Sequence, residues 1–318
     1  RAVRTPPENY ATFVHLIGPD GNLWSQNRTR GFGVRPTGVW VPGETLVRTY
    51  ELPVPLGTVP GTYKLMVGMY SPATGARLEI REATGKALGN ELAVATVPVA
   101  KGPSFPLQSK EKDAASTARP SVQHYLEEPL AVGGDEVVLV GYELAGDTAR
   151  QGDALAVTLV WQAARAVTGD YAVVLQAVDG NGQAVAQKEG RPVSGLYATS
   201  GWEAGEVVRD PERLLIPAAT SPGTYSLRVA LRDASGALSR YVPIGAINVQ
   251  GRPRTFAVPP IPHSADLALG EHVRFLGYDV SADKLKPGER LTLTIYWQAV
   301  GQIGTSYTVF THLLDESE

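Results

Sequence analysis

The sequence predicts an all-β protein built from repeated antiparallel sandwiches, and three observations carry that prediction. The first is a repeat. VGYELAGDTARQGDALAVTLVWQAARAVTGDYAVVLQAVD, from Val140 to Asp179, returns without a gap as LGYDVSADKLKPGERLTLTIYWQAVGQIGTSYTVFTHLLD, from Leu276 to Asp315, at an offset of 136 residues. A repeat this long is a domain copied in tandem, not a solenoid unit. The second is alternation. Leu155, Val157, Leu159 and Trp161 share one strand face, as do Leu291, Leu293, Ile295 and Trp297, with Thr292, Thr294, Tyr296 and Gln298 opposite. One apolar and one polar face per strand marks an antiparallel sheet. The third is punctuation: the 318 residues include 34 Gly and 24 Pro, gathered in turns such as Gly18-Pro19-Asp20-Gly21, Pro60-Gly61, Asp179-Gly180-Asn181-Gly182 and Pro222-Gly223.

Seven or eight short strands per copy, with no helical period, define tandem immunoglobulin-like antiparallel β-sandwich modules of about 115 residues joined by Pro-rich linkers. In chain order, residues 1–102 read as a module lacking its first two strands. GVWVPGETLVRTYELPVP (38–55) matches SGWEAGEVVRDPERLLIP (200–217), and VPGTYKLMVGMYSPATGARL (59–78) matches SPGTYSLRVALRDASGAL (221–238), both at an offset of 162. Residues 103–133, rich in Pro, Ser, Ala and charge, read as a linker. Residues 134–250 form the complete module, 251–270 a second Pro-rich linker, and 271–318 the first three strands of a third module, ending on the strand of Phe310 and Leu313. Repeat core anchors are Tyr142, Trp161 and Tyr171, with Tyr278, Trp297 and Tyr307 in the copy.

Composition narrows the function. A net charge of −3 without a Lys/Arg cluster argues against polyanion binding, so nucleic acid is not an expected partner. The absence of cysteine rules out disulfides, thiolate nucleophiles and cysteine-based zinc sites. No apolar run reaches membrane-spanning length.

Candidate chemistry is thin. His15 and His312 share a repeat position that holds Gln176 in the complete module, which suits a polar hydrogen-bonding site better than a catalytic one. His124, His263 and His272 fall in or beside the linkers without metal-ligand spacing. GFGVRPTG (31–38) has lost its glycine pattern at 194–201 and reads as a turn. The turn residues Asp20 and Asp179 have too few neighbouring oxygens for a calcium loop, and Glu127-Glu128 are adjacent rather than poised across a cleft. No catalytic residue, metal or cofactor is therefore expected, and the chain reads as a non-enzyme. The aromatic loops offer the remaining candidates. Trp40, and Tyr197 with Thr199 and Trp202, have the composition for stacking on a sugar ring, Glu203 adding a hydrogen-bonding group. The alternative is that each Trp plugs the end of its sandwich.

The repeated string, LGY then PGExLxLxxYWQA, YTVFxHLxD, GxYxTxxWxPGE and PGTYxLxVGxYxxxTGxRL, resembles the β-sandwich modules appended outside the membrane domain of bacterial dolichyl-phosphate-mannose-type glycosyltransferases and repeated in other large bacterial surface proteins. Tyr278, Trp297 and His312 carry its front half; Trp40, Tyr63 and Gly68 carry its back half. The complete module departs at Gln176, at Glu203-Ala204 and at Arg232. The resemblance implies an extracellular, bacterial cell-surface location, a non-catalytic structural or accessory role, and no active site. The expected function is a stalk, spacer or fibre whose partners are neighbouring modules of the same or an identical chain. Head-to-tail assembly by strand complementation is one form of it, although both partial modules carry the Tyr10/Tyr307 strand. The alternative is a carbohydrate-binding accessory module that engages cell-surface glycans.

Overall fold

The computed structural model describes residues 5–27, 35–105, 122–132, 136–286, 290–301, 303 and 309–312, with only the backbone described over 127–132. It is nearly all-β, with its strands in several antiparallel sheets. Among the described residues no helix is long and apolar enough to cross a membrane. The chain divides into two compact units, residues 1–252 and 253–318.

The first unit opens with β1 (Ala11–Ile17), β2 (Leu23–Gln26) and β3 (Gly61–Tyr70). The small ribbon of β4 (Ile80–Arg81) and β5 (Ala87–Gly89) and the long β6 (Leu92–Val99) follow. The first sheet runs β2-β1-β3-β6. Residues 122–252 then give β7 (His124–Val132), β8 (Val137–Leu144), β9 (Thr148–Arg150), β10 (Ala154–Ala163), β11 (Ala172–Val178), β12 (Ala184–Gly190), β13 (Val207–Leu215), β14 (Gly223–Arg232) and β15 (Val242–Gln250). These form two sheets, β13-β10-β8-β7 and β12-β11-β14-β15-β9, whose last pair, β15 with β9, is parallel. Both contribute to one core: Leu139, Leu159, Trp161 and Leu214 from the first sheet, Leu175, Leu227, Val229 and Ile247 from the second. The period-two alternation read from Leu155 to Trp161 is what presents those side chains to the opposite sheet.

The second unit has β16 (His263–Leu269), β17 (Val273–Val280) and β18 (Leu293–Ala299) in one three-stranded sheet.

Two expected linkers need correction. Residues 124–132 and 263–269 are strands, not connections. Their backbones pair with the strands of the repeated Gly-Tyr motif, and each brings a histidine onto its tyrosine. His124 stacks on Tyr142, and His263 on Tyr278, both at 4.7 Å between ring centroids. Proline-rich flanks hid this, because each strand runs along a sheet edge and needs only one bonded side. The expected third strand of the last segment is also corrected. Val309–His312 form no strand, whereas β16 supplies the third one upstream. Leu313 and Tyr307 lie outside the described residues.

The motif glycines have a steric cause. A Cβ on Gly141 would sit 2.4 Å from the His124 carbonyl oxygen, and one on Gly277, at φ 137°, would sit 2.2 Å from that of His263. Only glycine lets the edge strand approach so closely. Gly141→Ala is therefore expected to separate β7 from β8 and lower stability by about 1–3 kcal/mol. Faster hydrogen exchange confined to those two strands, with a lowered melting temperature, is the expected reading; unchanged exchange would refute the steric argument.

Candidate functional site

The loop chosen from sequence as a sugar platform is a bonded clamp. A short 3-10 turn at Thr199–Gly201 places the Thr199 hydroxyl between two backbone groups. It accepts from the Tyr171 N–H and donates to the Gly169 carbonyl, both at 2.8 Å, tying the entry of β11 to this loop. The Trp202 indole N–H donates to the Tyr197 carbonyl at 3.4 Å. Its ring is only 2% exposed and belongs to the core. Neither Trp202 nor Thr199 has a free face or hydroxyl for a sugar, so their assignment to glycan contact is corrected: the ring fills the end of the core. Tyr197 is half-buried, and its hydroxyl donates to Glu206 at 2.5 Å. Burial and this bond to a carboxylate push the Tyr197 phenol up to about 12.

The earlier copy repeats the clamp. Thr37 is buried in its own 3-10 turn, accepts from the Tyr10 N–H at 2.7 Å and donates to the Glu8 carbonyl at 3.2 Å. Trp40 is half-buried there, its indole N–H donates to the Arg35 carbonyl at 3.4 Å, and the Arg48 guanidinium lies 5.6 Å from its ring centroid. Of the four proposed stacking residues, Trp40 and Tyr197 keep partial exposure. They sit on different copies of the clamp.

The histidine position behaves as a packing site. His15 lies 4.6 Å from Phe13 between ring centroids, and burial together with Arg77 lowers its pKa. Its counterpart Gln176 accepts from Arg228 at 2.8 Å and donates to Gln187 at 2.5 Å. The turn aspartates serve their own turns. Asp179 accepts from the N–H groups of Asn181 and Gln183, both at 2.9 Å, and Asp20 accepts from the Trp24 indole at 2.9 Å. Gly31–Val34 of the glycine-rich stretch lie outside the described residues. The side chains of Glu127 and Glu128 are likewise not described. Among the anchors, Trp161 is fully buried, whereas Tyr142 and Tyr171 are half-buried, and the Tyr171 hydroxyl donates to Glu136 at 3.0 Å.

Sequence reasoning missed the most unusual chemistry in the molecule. β13 turns Asp210 and Glu212 inward, where Asp210 is fully buried and Glu212 nearly so. Asp210 Oδ1 accepts from the Val193 N–H at 2.6 Å, and Oδ2 faces the Trp161 indole N–H at 3.4 Å. Glu212 is hydrogen-bonded to Asp210 and paired with Lys188 on β12. Burial, with the neighbouring Glu212 charge, drives Asp210 up to about 8, so one proton stays in the pair at neutral pH. The N–H that Asp210 holds belongs to a strained residue: Val193 and Ser194 have φ of 53° and 55°, a left-handed conformation unfavourable for a β-branched side chain. The valine side chain is fully buried. Asp210 thus fixes a strained turn into the core. Asp210 itself has no exposed surface. The signal available in sequence was VVRDPERLL itself, whose alternate positions 208, 210, 212 and 214 face inward with two acids among them.

A third feature is the joint inside the first unit. The Gly57 carbonyl accepts from the Arg209 N–H at 2.8 Å, on the outer edge of β13. Phe105 donates its N–H to the Gly205 carbonyl at 2.8 Å, and its carbonyl accepts from Gln162 Nε2 at 2.9 Å. Lys101 pairs with Glu206 at 3.0 Å and Glu203 at 3.1 Å. Gly57 and Gly205 have φ of 88° and 78°, and a Cβ on Gly205 would lie 2.3 Å from the Phe105 carbonyl oxygen. The expected linker is therefore docked at its first residues.

In class, the chain is an all-β protein whose described residues hold a buried polar cluster and no group of metal-ligating side chains. No family model matches the sequence. No curated protein matches it. Similar solved structures include the alkylpurine DNA glycosylase AlkC of Pseudomonas fluorescens bound to DNA containing an abasic-site analogue, at 13% identity and TM-score 0.25, over 36% of this chain and 30% of that one. The sporulation control protein Spo0M of Bacillus subtilis is matched at 14% identity and TM-score 0.22, over 37% and 49%. A membrane-anchored protein of Corynebacterium diphtheriae is matched at 14% identity and TM-score 0.22, over 78% and 54%. The chain spans about a third to about half of the length of these proteins.

Proposed function

We propose that this chain is a non-catalytic stalk or spacer segment of tandem immunoglobulin-like sandwiches, acting outside a bacterial cell. The observation that carries it is the bonded joint: Gly57, Lys101 and Phe105 lock one repeat onto the next through backbone hydrogen bonds and the ion pair of Lys101 with the buried Glu206. A spacer needs such a joint to hold its modules in a fixed orientation. An enzyme needs an accessible site, and the buried acids do not provide one.

Local features support the immunoglobulin-like reading. Tyr63 and Tyr225, each in the Gly-Thr-Tyr that opens its strand, donate their hydroxyls at 2.8 Å to backbone carbonyls four residues upstream, at Val59 and Ser221. The geometry is similar to the tyrosine corner of such sandwiches and supports that reading. The sheets β13-β10-β8 and β12-β11-β14-β15 exchange strands between layers as a Greek key does. The resemblance to modules of bacterial membrane glycosyltransferases and surface proteins supports the location.

Pulling single molecules of the chain by its ends tests the reading. The complete module is expected to break in one force peak that releases about 40 nm of chain, at ~3.5 Å per extended residue. Yielding without a resolved peak would exclude a load-bearing spacer. Retention on a glycan matrix would favour the carbohydrate-binding alternative.

A further inference from the structure

We propose that Asp210 and the strained turn Pro192–Gly195 form a latch across the two sheets of the complete module, closed while Asp210 and Glu212 keep a proton between them and opened locally, ahead of global unfolding, when that proton leaves. The device goes beyond the spacer reading and does not depend on it. Its place is the seam between the sheets. β12 ends one sheet, bonded to β11, and β13 ends the other, bonded to β10. The chain crosses from one to the other through the turn, and side chains fasten the crossing. Lys188 of β12 pairs with Glu212 of β13, and the Val193 N–H donates to Asp210 Oδ1 at 2.6 Å.

The turn has little to hold it by itself. Val193 and Ser194 both stand in the left-handed region, at φ 53° and 55°, which disfavours a β-branched valine. Its own backbone bonds are from the Gly195 N–H to the Arg191 carbonyl at 3.2 Å and from the Leu196 N–H to the Val193 carbonyl at 3.1 Å. The fully buried Val193 side chain and the bond to Asp210 offset the strain. An acid therefore anchors the turn to the core.

That acid sits where a charge is costly. Asp210 is 0% exposed and Glu212 3%, and the two are hydrogen-bonded, which requires a proton on one of them. The groups that face Asp210 are Glu212 on its own strand, the Trp161 indole from β10, Lys188 from β12 and the Val193 N–H from the turn. Among these only Lys188 is a cation, and it is engaged by Glu212. Arg191, at the start of the turn, is engaged by Asp170 at 2.6 Å. Losing the proton thus leaves a second buried negative charge. Of the elements around it, β10 and β13 are tied by a continuous ladder, whereas the turn gains two relaxed residues on release. The turn opens and water reaches the carboxylate.

The direction follows from the same burial. Asp210 is held up at about 8 in the closed seam and returns toward its ordinary value when hydrated. Opening therefore becomes up to about tenfold more favourable per pH unit below 8 and levels off above it.

Hydrogen exchange of the intact chain from pH 6 to 8, divided by the intrinsic exchange rate at each pH, tests the latch. Protection of residues 193–196 is expected to fall by up to about tenfold per pH unit. It is expected to stay below that of residues 173–178 in β11, whose exchange reports global unfolding. Asp210→Asn keeps an acceptor for the Val193 N–H and cannot ionise, so the turn is expected to lose most of its pH dependence. Protection at 193–196 that is constant from pH 6 to 8, or equal to that of β11 at every pH, overturns the proposal in the unaltered chain. A pH dependence of full size in Asp210→Asn also overturns it.

Discussion

Replacing Trp202 by alanine is expected to lower the unfolding free energy by about 3–5 kcal/mol, as for other buried large aromatics. The indole is 2% exposed, belongs to the core cluster and donates to the Tyr197 carbonyl. Removing it leaves a cavity under a loop whose other contacts include the Thr199 hydrogen bonds and the bond from Val167 N–H to the Trp202 carbonyl, at 3.0 Å. That backbone bond survives the substitution, so the loop is expected to loosen rather than detach. Urea denaturation monitored by far-ultraviolet circular dichroism measures the loss. A drop under about 1 kcal/mol would place the ring outside the core and revive its use as a ligand platform. The equivalent change at Trp40, half-buried in the earlier copy, is expected to cost clearly less.

The comparison of Trp202 with Trp40 shows where sequence reading works. Trp161 was legible as core because its strand alternates cleanly and nothing polar interrupts the inward face. Both loop tryptophans precede similar turns, and sequence alone gave no means of ranking them. Their burial differs because Trp202 belongs to a core to which two sheets contribute, whereas among the described residues the module of Trp40 has one four-stranded sheet. The threonine clamp was visible only as a repeated Thr-x-x-Trp spacing, from Thr37 to Trp40 and from Thr199 to Trp202. Its role depends on a hydroxyl bonded across 28 residues of chain, which no local pattern encodes.

The strands at His124 and His263 were hidden for a different reason. Sequence signals for strands rest on burial of alternate residues, and an edge strand with exposed side chains has none to show. The trace that did exist lay in the partner strand, where Gly141 and Gly277 mark a backbone approaching too closely for a Cβ. Asp210 and Glu212 were masked by their own chemistry. Arg-Asp-Pro-Glu-Arg reads as a polar turn until the flanking Val208 and Leu214 are placed on the same face. Pro211 sits on β13 at the sheet edge, where its missing N–H costs no ladder bond.

The buried acids make stability depend on pH in an unusual direction. Asp210 is raised in the folded state to about 8 from 3.8, first by burial and then by the Glu212 charge. Between those values the folded chain holds a proton that the unfolded chain has released. The contribution to stability is therefore fully present below about pH 4 and is lost as pH rises toward 8, at up to about 1.4 kcal/mol per pH unit. Glu212 is raised as well and acts in the same direction, while Lys188 opposes it by favouring the carboxylate. Most acid-sensitive proteins slope the other way over this range, so the sign is diagnostic. Urea midpoints measured from pH 5 to 8 are expected to fall with rising pH, and Asp210→Asn is expected to flatten the profile. Lys188→Met leaves the Glu212 charge buried without its partner and is expected to cost about 3 kcal/mol at pH 8. That cost is expected to shrink as pH falls and Glu212 takes up a proton. A Lys188→Met penalty that is equal at pH 5 and pH 8 would mean that the lysine stem, packed along the sheet edge, matters more than its charge.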